Sequence, residues 1–223
     1  MRSYDEYCAI AKSLDVIGDR WTLLIVRELA LRGACRYTDV RNGLPGIASN
    51  LLAERLRELE QAGVVAREDA PPPIATTLYR LTPRGEELRP VLDGLFEWGL
   101  PLMTEQKPGD AVRSHWLAGA LESMLTDRRP DASPVTVELQ TGDQPIVIEA
   151  RDGAIHTRLG PADSADATLT GPPKPILGLL LGLLQPADAK ANGIDYRGDP
   201  AILERIGAQT LPHAAPDSVK RAP

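Results

Sequence analysis

The residues whose types and spacing suit chemistry with another molecule stand together between Arg36 and Arg80. Ser49, Asn50, Glu54, Arg57 and Gln61 share one side of a helix predicted over 49–61, at about 100° per residue, with Ala53 at its edge. Leu52, Leu56 and Leu59 form an apolar stripe on the other side. Burial explains the stripe and leaves the polar side without a structural reason. Small and hydrogen-bonding residues on the first two turns of a helix suit an N-terminal end lying in the major groove of duplex DNA, where Ser, Asn and Arg reach base edges. The competing reading is a solvated face laced with pairs among Arg55, Arg57, Glu58 and Glu60. Arg55 lies beside the stripe and is expected to pair with Glu58 or another acid, so Arg57 is the preferred contact.

The elements that must hold this face in place are legible around it. Tyr37, Val40 and Leu44 mark a short helix that begins at Thr38 or Asp39 and closes at Asn42-Gly43, and Leu44-Pro45-Gly46-Ile47 makes a turn. Two helices joined by a tight turn make a helix-turn-helix. Arg36, Thr38 and Arg41 flank the first of them, where phosphate contacts are expected. Ala62-Gly63 ends the second. Val64–Arg67 and Leu78–Leu81 then pair as a hairpin whose tip, Ala70–Thr77, has no basic residue, leaving Arg67 and Arg80 as its candidate contacts.

Upstream, Tyr7, Ile10, Leu14 and Ile17 predict an amphipathic helix over 4–17 ended by Gly18. Trp21, Leu24, Ile25 and Leu29 predict a second over 20–31, capped by Asp19, with Trp21 in the core. Downstream, Thr82-Pro83 starts a helix carrying Leu88, Leu92, Leu95, Trp98 and Leu102, with Pro90 as a possible kink. In this order the parts resemble a winged helix-turn-helix regulator of the HxlR family, on the words LDVIGDRWTLLIVREL (14–29), RYTDVRNGLPGIASNLLAERLRELEQAGVV (36–65) and YRLTPRGEELRPVLDGLFEWG (79–99), over roughly residues 4–103. The resemblance implies a homodimeric DNA-binding transcription factor, dimerised through its first and last helices. It also places Cys8 where some such regulators sense oxidants or electrophiles. The neighbours of Cys8 oppose a reactive thiol, because Asp5 and Glu6 are close and Lys12 is the one local cation, so a small buried hydrophobe is the preferred reading. Cys35 is expected in the loop before the helix-turn-helix.

Bulk properties set the bounds. With 223 residues the chain has room for one or two domains. Residues 1–104 carry 13 Lys+Arg against 15 Asp+Glu, and residues 105–223 carry 12 against 16, so neither half is basic and the whole stands at −6. Affinity for DNA rests on phosphate neutralisation, so a net-acidic chain must gather its cations on one face and double them by dimerising. Aromatic residues at 4% disfavour a base-stacking binder of single strands. Two cysteines make no disulfide framework, and the longest apolar run, 175–184, is about half a membrane span, so a cytoplasmic protein without a membrane segment is expected.

Glu105–Asp110 is a polar break. Residues 112–126 read as a helix, VTVELQ (135–140), PIVIEA (145–150), AIHTRLG (154–160) and DATLTG (166–171) as four strands of an antiparallel meander, PKPILGLLLGLLQP as an apolar helix, and PAILERIG as a last helix. The string DATLTGPPKPILGLLLGLLQPADAKANGIDYRGDPAILERI resembles the sterol-carrier-like lipid-binding domains, which implies a tunnel for an apolar ligand. Trp116, Ile176, Leu177, Leu180, Leu181 and Leu184 are its candidate lining; a plain core helix is the alternative. His115, His156 and His213 are widely spaced, no metal-ligand spacing or phosphate loop is present, and neither an enzyme, a metal nor a cofactor is expected.

The expected organisation is therefore a mainly α winged helix-turn-helix domain (1–104), a linker (105–111), an α+β domain with an antiparallel sheet (112–210) and a flexible tail (211–223). The function expected is a homodimeric repressor of double-stranded DNA tuned by an apolar small molecule. Its rivals are a thiol sensor acting through Cys8 and a lipid carrier whose winged helix does not bind DNA.

Overall fold

The computed structural model describes residues 3–70, 76–103, 107 and 109–208, so the expected tail lies outside the described residues. The chain divides into two compact units, Met1–Ala111 and Val112–Pro223.

The first unit begins with α1 (Ala9–Ile17) and α2 (Thr22–Arg32). The first helix starts at Ala9 and not at residue 4, because the segment before it folds back on the helix. The Asp15 carboxylate accepts from the Tyr4 N–H at 2.9 Å and from the Ser3 hydroxyl at 3.2 Å. Asp19 does not cap α2: Trp21 stands at the N-cap without a side-chain cap bond, the Asp19 carbonyl accepts from the Thr22 N–H at 3.2 Å in the turn before it, and the Asp19 carboxylate pairs with Arg55 instead. On α2 the core positions are Ile25, Val26 and Leu29, while Leu24 is exposed, contrary to the periodicity reading. A short strand, β1 (Cys35–Arg36), stands where a loop was expected and pairs with β3 (Thr77–Leu81), which also pairs with β2 (Val65–Asp69). Between them come α3 (Tyr37–Asn42) and α4 (Ser49–Gln61). Leu52, Leu56 and Leu59 of α4 are at most 2% exposed and join Ile25, Val26, Leu29, Val40 and Leu44 in one core.

After the wing the expected single helix is two, α5 (Pro83–Glu86) and α6 (Arg89–Gly99), followed by one 3-10 turn over Leu100–Leu102. Pro90 lacks the N–H that a continuous helix needs, so the chain restarts there instead of kinking. Thr82 caps α5 by accepting from Gly85 N–H at 3.0 Å. Leu88 and Leu92 pack on the core, whereas Leu95, Trp98 and Leu102 are exposed, Trp98 at 73%.

The second unit has α7 (Ser114–Met124), β4 (Leu125–Asp127), β5 (Val135–Gln140), β6 (Ile146–Arg151), β7 (Ala154–Leu159), β8 (Ala167–Thr170), α8 (Pro173–Leu180), β9 (Asp195–Gly198), α9 (Pro200–Arg205) and β10 (Ile206–Ala208). Its main sheet has the order β7-β6-β5-β8-β9 and is mixed, not an antiparallel meander, since β8 runs parallel to β5. The segment 160–166 is the reason. It carries the chain back past β6 and β5, tied down by Ala162 N–H on the Glu138 carboxylate at 2.7 Å and by Arg158 on the Pro161 carbonyl at 2.9 Å, where a two-residue turn would have made a hairpin.

β4 and β10, which periodicity did not find, pair antiparallel. Beside them the buried Asp127 and Arg205 form a bidentate pair at 2.7 and 2.8 Å, and Arg205 also donates to the Ser133 and Ala150 carbonyls. α8 is shorter than expected. Gly182, at φ 73°, turns the chain, and the Leu183 and Leu184 N–H groups return to the Gly178 carbonyl. No helix among the described residues is long and apolar enough to cross a membrane.

Candidate nucleic-acid interface

Hydrogen bonds and packing hold the helix-turn-helix from both flanks. On one, the Tyr37 hydroxyl donates to the Ser49 carbonyl at 2.7 Å, fixing the start of α4 against α3. The start of α3 is itself tied by Arg36 N–H to the Asp39 carboxylate at 2.9 Å. On the other, Arg55 reaches back to Asp19 at 2.8 Å and also pairs with Glu58, so it holds α4 to the corner before α2. Behind the turn lies the fully buried Glu28 of α2, paired with Arg27 at 2.8 Å and Arg32 at 3.2 Å. Its carboxylate lies against Gly43, and a Cβ there would come 2.5 Å from the Glu28 Cδ and closer still to Oε2.

The predicted polar face is brought together. Ser49, Asn50, Glu54, Arg57 and Gln61 are exposed on α4 and Ala53 is half-buried at its edge. Arg36, Thr38 and Arg41 are exposed at and around α3. Arg67 is exposed on β2, and Arg80 on β3 is committed to Glu68 at 3.0 Å. The middle of the wing tip, 71–75, lies outside the described residues.

Charge pairing sorts the cations of this unit. Lys12, Arg27, Arg32, Arg55, Arg80, Arg84 and Arg89 each lie against a carboxylate. Among the described residues, the arginines of this unit without an ion pair are Arg20, Arg36, Arg41, Arg57 and Arg67, and all five are exposed. Four of these are residues singled out from the sequence. Arg20 is the one that sequence reasoning missed, because it stands in a corner between helices where no periodicity marks it.

Neither cysteine stands where it was expected, Cys8 in the core or Cys35 in a loop. Cys8 is exposed at the start of α1 and is not a core residue. The Ala11 backbone N–H, and behind it that of Ile10, hold its thiol below the ordinary value. The acidic neighbours Asp5 and Glu6 did not decide the matter, because the helix start supplies the positive end of the backbone dipole instead. Cys35 is buried in β1, and burial pushes its thiol up to about 11.

In the second unit Ile176 and Leu180 are buried, and Leu177, Leu181 and Leu184 are half-buried against the same core, which also holds Leu121, Leu139, Ile148 and Leu169. Trp116 is half-buried on α7, its ring edge-on to that of His115 at 5.7 Å. His156 is exposed on β7, opposite Glu149.

Residues 16–107 match the family model described as HxlR-like helix-turn-helix. YvaP of Bacillus subtilis, named as an uncharacterized HTH-type transcriptional regulator, is 38% identical over 87 residues, 39% of this chain and 80% of YvaP. The HTH-type transcriptional regulator YodB of the same organism is 33% identical over 100 residues, 45% of this chain and 86% of YodB. The solved reduced form of YodB is 30% identical, covering 46% of this chain and all of that one, with a TM-score of 0.39. The family and these relatives are transcriptional regulators and not enzymes. Over its N-terminal unit, the chain belongs to the HxlR-like helix-turn-helix family.

Proposed function

We propose that the protein is a homodimeric, sequence-specific DNA-binding repressor of the cytoplasm whose affinity for its operator is set by an apolar small molecule held in the second unit. One observation carries the DNA reading. In a unit with more acids than bases, the cations without a carboxylate gather mainly around α3, α4 and the wing, where phosphate and base contacts are made. Ser49, Asn50, Ala53, Glu54 and Arg57 face base edges in this reading, while Arg36, Thr38, Arg41 and Arg67 hold phosphates. Arg80 joins them by exchanging Glu68 for phosphate. The exposed apolar side chains of α1 and α6, Ile10, Leu14, Leu95 and Trp98, support a dimer interface. Two recognition helices then enter successive major grooves about 34–36 Å apart.

The ligand reading is supported by the apolar α8 with Ile176, Leu177 and Leu180, the turn after it with Leu181 and Leu184, and Trp116 on α7, in a domain taken as 112–210 after a linker at 105–111. Linkage requires that a ligand which weakens DNA binding is itself weakened by DNA to the same factor. The test is fluorescence anisotropy with the DNA upstream of the protein's own reading frame, across a salt series, with and without an apolar extract of the host. Specific, salt-dependent binding that the extract alters is expected. Binding that ignores the extract at saturation removes the ligand, and no specific binding at any salt removes the repressor.

A second reading is favoured by Cys8. Its exposure at a helix start with a lowered thiol pKa suits a sensor of oxidants or electrophiles. A Cys8→Ser variant whose DNA release still answers every oxidant would exclude it.

A further inference from the structure

Arg20 stands outside the surface assigned above, yet the corner that carries it is built onto the helix-turn-helix at two points. Asp19, beside it, bonds Arg55 in the middle of α4. Trp21, on its other side, packs on the N-terminal core and sends its ring tip toward the turn: Cη2 lies 4.0 Å from where a Cβ on Gly46 would stand, three residues before α4 begins. The Arg20 guanidinium lies over the same ring, 5.7 Å from its centroid. The side chain therefore rests on a platform that is fixed against the turn.

Trp21 holds this position in a left-handed backbone conformation, φ 80° and ψ −21°, a strained one for a bulky residue. Beyond that stack on Trp21, Arg20 contributes nothing evident to the fold. It is exposed, it has no carboxylate partner among the described residues, and a cation just ahead of α2 opposes the dipole of that helix.

The position gives it a use. Arg55 marks the flank of α4 between the buried stripe and the base-facing side, and Tyr37 of α3 bonds the start of the same helix. A helix about 10–12 Å across nearly fills a major groove about 12 Å wide, so whatever flanks the helix abuts a sugar–phosphate strand. We infer that Arg20, stacked on Trp21, is a backbone-phosphate contact of this protein, placed beside the recognition helix on the flank marked by Arg55. The inference rests on the DNA-binding reading and extends it. It adds a fifth free arginine to the four already assigned, in a chain whose net charge gives it few to use. A contact to phosphate positions the protein and carries no sequence information, so it sets affinity and not specificity.

The test is the salt dependence of DNA binding by the full-length protein, wild type against Arg20→Gln and Arg20→Lys. Two labelled duplexes serve as probes: the DNA upstream of the reading frame and an unrelated duplex of equal length. Each phosphate contact contributes about 0.9 to the slope of log K against log salt, so a dimer that loses two is expected to lose about 1.8. At about 0.15 M salt that slope corresponds to roughly 30-fold weaker binding on both duplexes, with their affinity ratio unchanged. Arg20→Lys keeps the charge and is expected to keep the slope. Hydrogen exchange at Ile25 and Leu29 is expected to show the N-terminal core of Arg20→Gln folded as in wild type, since the residue is exposed.

A wild-type slope retained by Arg20→Gln overturns the contact, as does weaker binding at constant slope, which marks a structural effect. A changed ratio between the duplexes overturns it as well. If the wild-type protein binds neither duplex, the DNA-binding reading falls and this contact falls with it; if wild type binds and the Arg20→Gln slope is unchanged, only the contact falls.

Discussion

Gly43→Ala tests how the buried Glu28 carboxylate shapes the helix-turn-helix. At φ −75° and ψ −9° the backbone of Gly43 is one that alanine adopts freely. Replacing glycine there, taken alone, stabilises by about 0.4–1 kcal/mol through the unfolded chain. Sterics point the other way. The new Cβ would stand 3.1 Å from the Glu28 Cγ, 2.5 Å from Cδ and closer still to Oε2. Gly43 is buried and Glu28 is fully so, which leaves the carboxylate no open side to move into. Overpacking costs about 1–3 kcal/mol. If the carboxylate is pushed off Arg27 and Arg32 while it stays buried, the loss approaches the roughly 3–5 kcal/mol of a broken buried pair. The clash wins, and a net loss of about 2–4 kcal/mol is expected.

The diagnostic step is the same substitution in a Glu28→Ala background. With the carboxylate gone the clash is gone, and Arg27 and Arg32, whose side chains are 28% and 29% exposed, return to water. Gly43→Ala should then be neutral or stabilising by a few tenths of a kcal/mol, so the sign of one substitution reverses with its partner. Because the chain has two compact units, a single global midpoint mixes their unfolding. Native-state hydrogen exchange at Ile25, Val26, Leu29 and Val40 reads the affected core directly. Equal losses in both backgrounds would refute the argument, because the carboxylate would then not be what excludes a side chain at position 43.

The buried Asp127–Arg205 pair sets an acid limit for the second unit. The Arg205 side chain hydrogen-bonds Asp127 and holds its carboxyl below the usual range, so the stabilisation is present above the unfolded value near 4 and is lost as pH falls through the lower folded value. Urea unfolding from about pH 3 to 7 should show this loss below about pH 4, and an Asp127→Asn variant that keeps the same acid slope would count against it. Trp98→Glu places a charge in the exposed apolar face of α6 without touching the core, and sedimentation should show a monomer with an unchanged fold; a dimer that persists would move the interface elsewhere. Alkylation at neutral pH should label Cys8 far faster than the buried Cys35, whose thiol is pushed up to about 11. Equal labelling rates in a mass-spectrometric time course would contradict both environments.

What could be read from the chain alone followed from how local its causes are. The apolar stripe of α4, the Asn42-Gly43 stop of α3 and the Thr82-Pro83 start of α5 are each set within a few residues, and they lie where periodicity and capping put them. The losses came where distant residues decide. The division of one expected helix into α5 and α6 is local, since Pro90 acts on its own turn, but the retreat of the first helix to Ala9 depends on Asp15 recruiting the backbone of Tyr4. β1, β4 and β10 are strands only because their partners, β3 and one another, lie far along the chain. The mixed sheet has the same origin: Pro161-Ala162 reads as a turn, and bonds to residues outside it, Glu138 to Ala162 and Thr136 to Asp166 among them, hold 160–166 as a crossover.

The charge of the site follows the same rule and limits what composition can say. A stretch such as residues 1–104, with 13 bases and 15 acids, reads as a poor partner for DNA if its charges are averaged. Averaging fails because the acids are not spread evenly among the bases: Glu28 alone engages two arginines, Arg55 engages two acids, and Glu68, Glu86 and Glu87 each engage one arginine. Bases consumed in this way are structural, and the arginines left over among the described residues stand on the helix-turn-helix, on the wing and in the Arg20 corner. Sequence spacing marks Arg57 because the geometry of one helix is enough to separate it from the buried stripe. It cannot mark Arg20, whose position depends on Trp21 meeting Gly46 and on Asp19 meeting Arg55. Net charge is a property of the chain, whereas the field that DNA meets belongs to the charges that folding leaves unpaired.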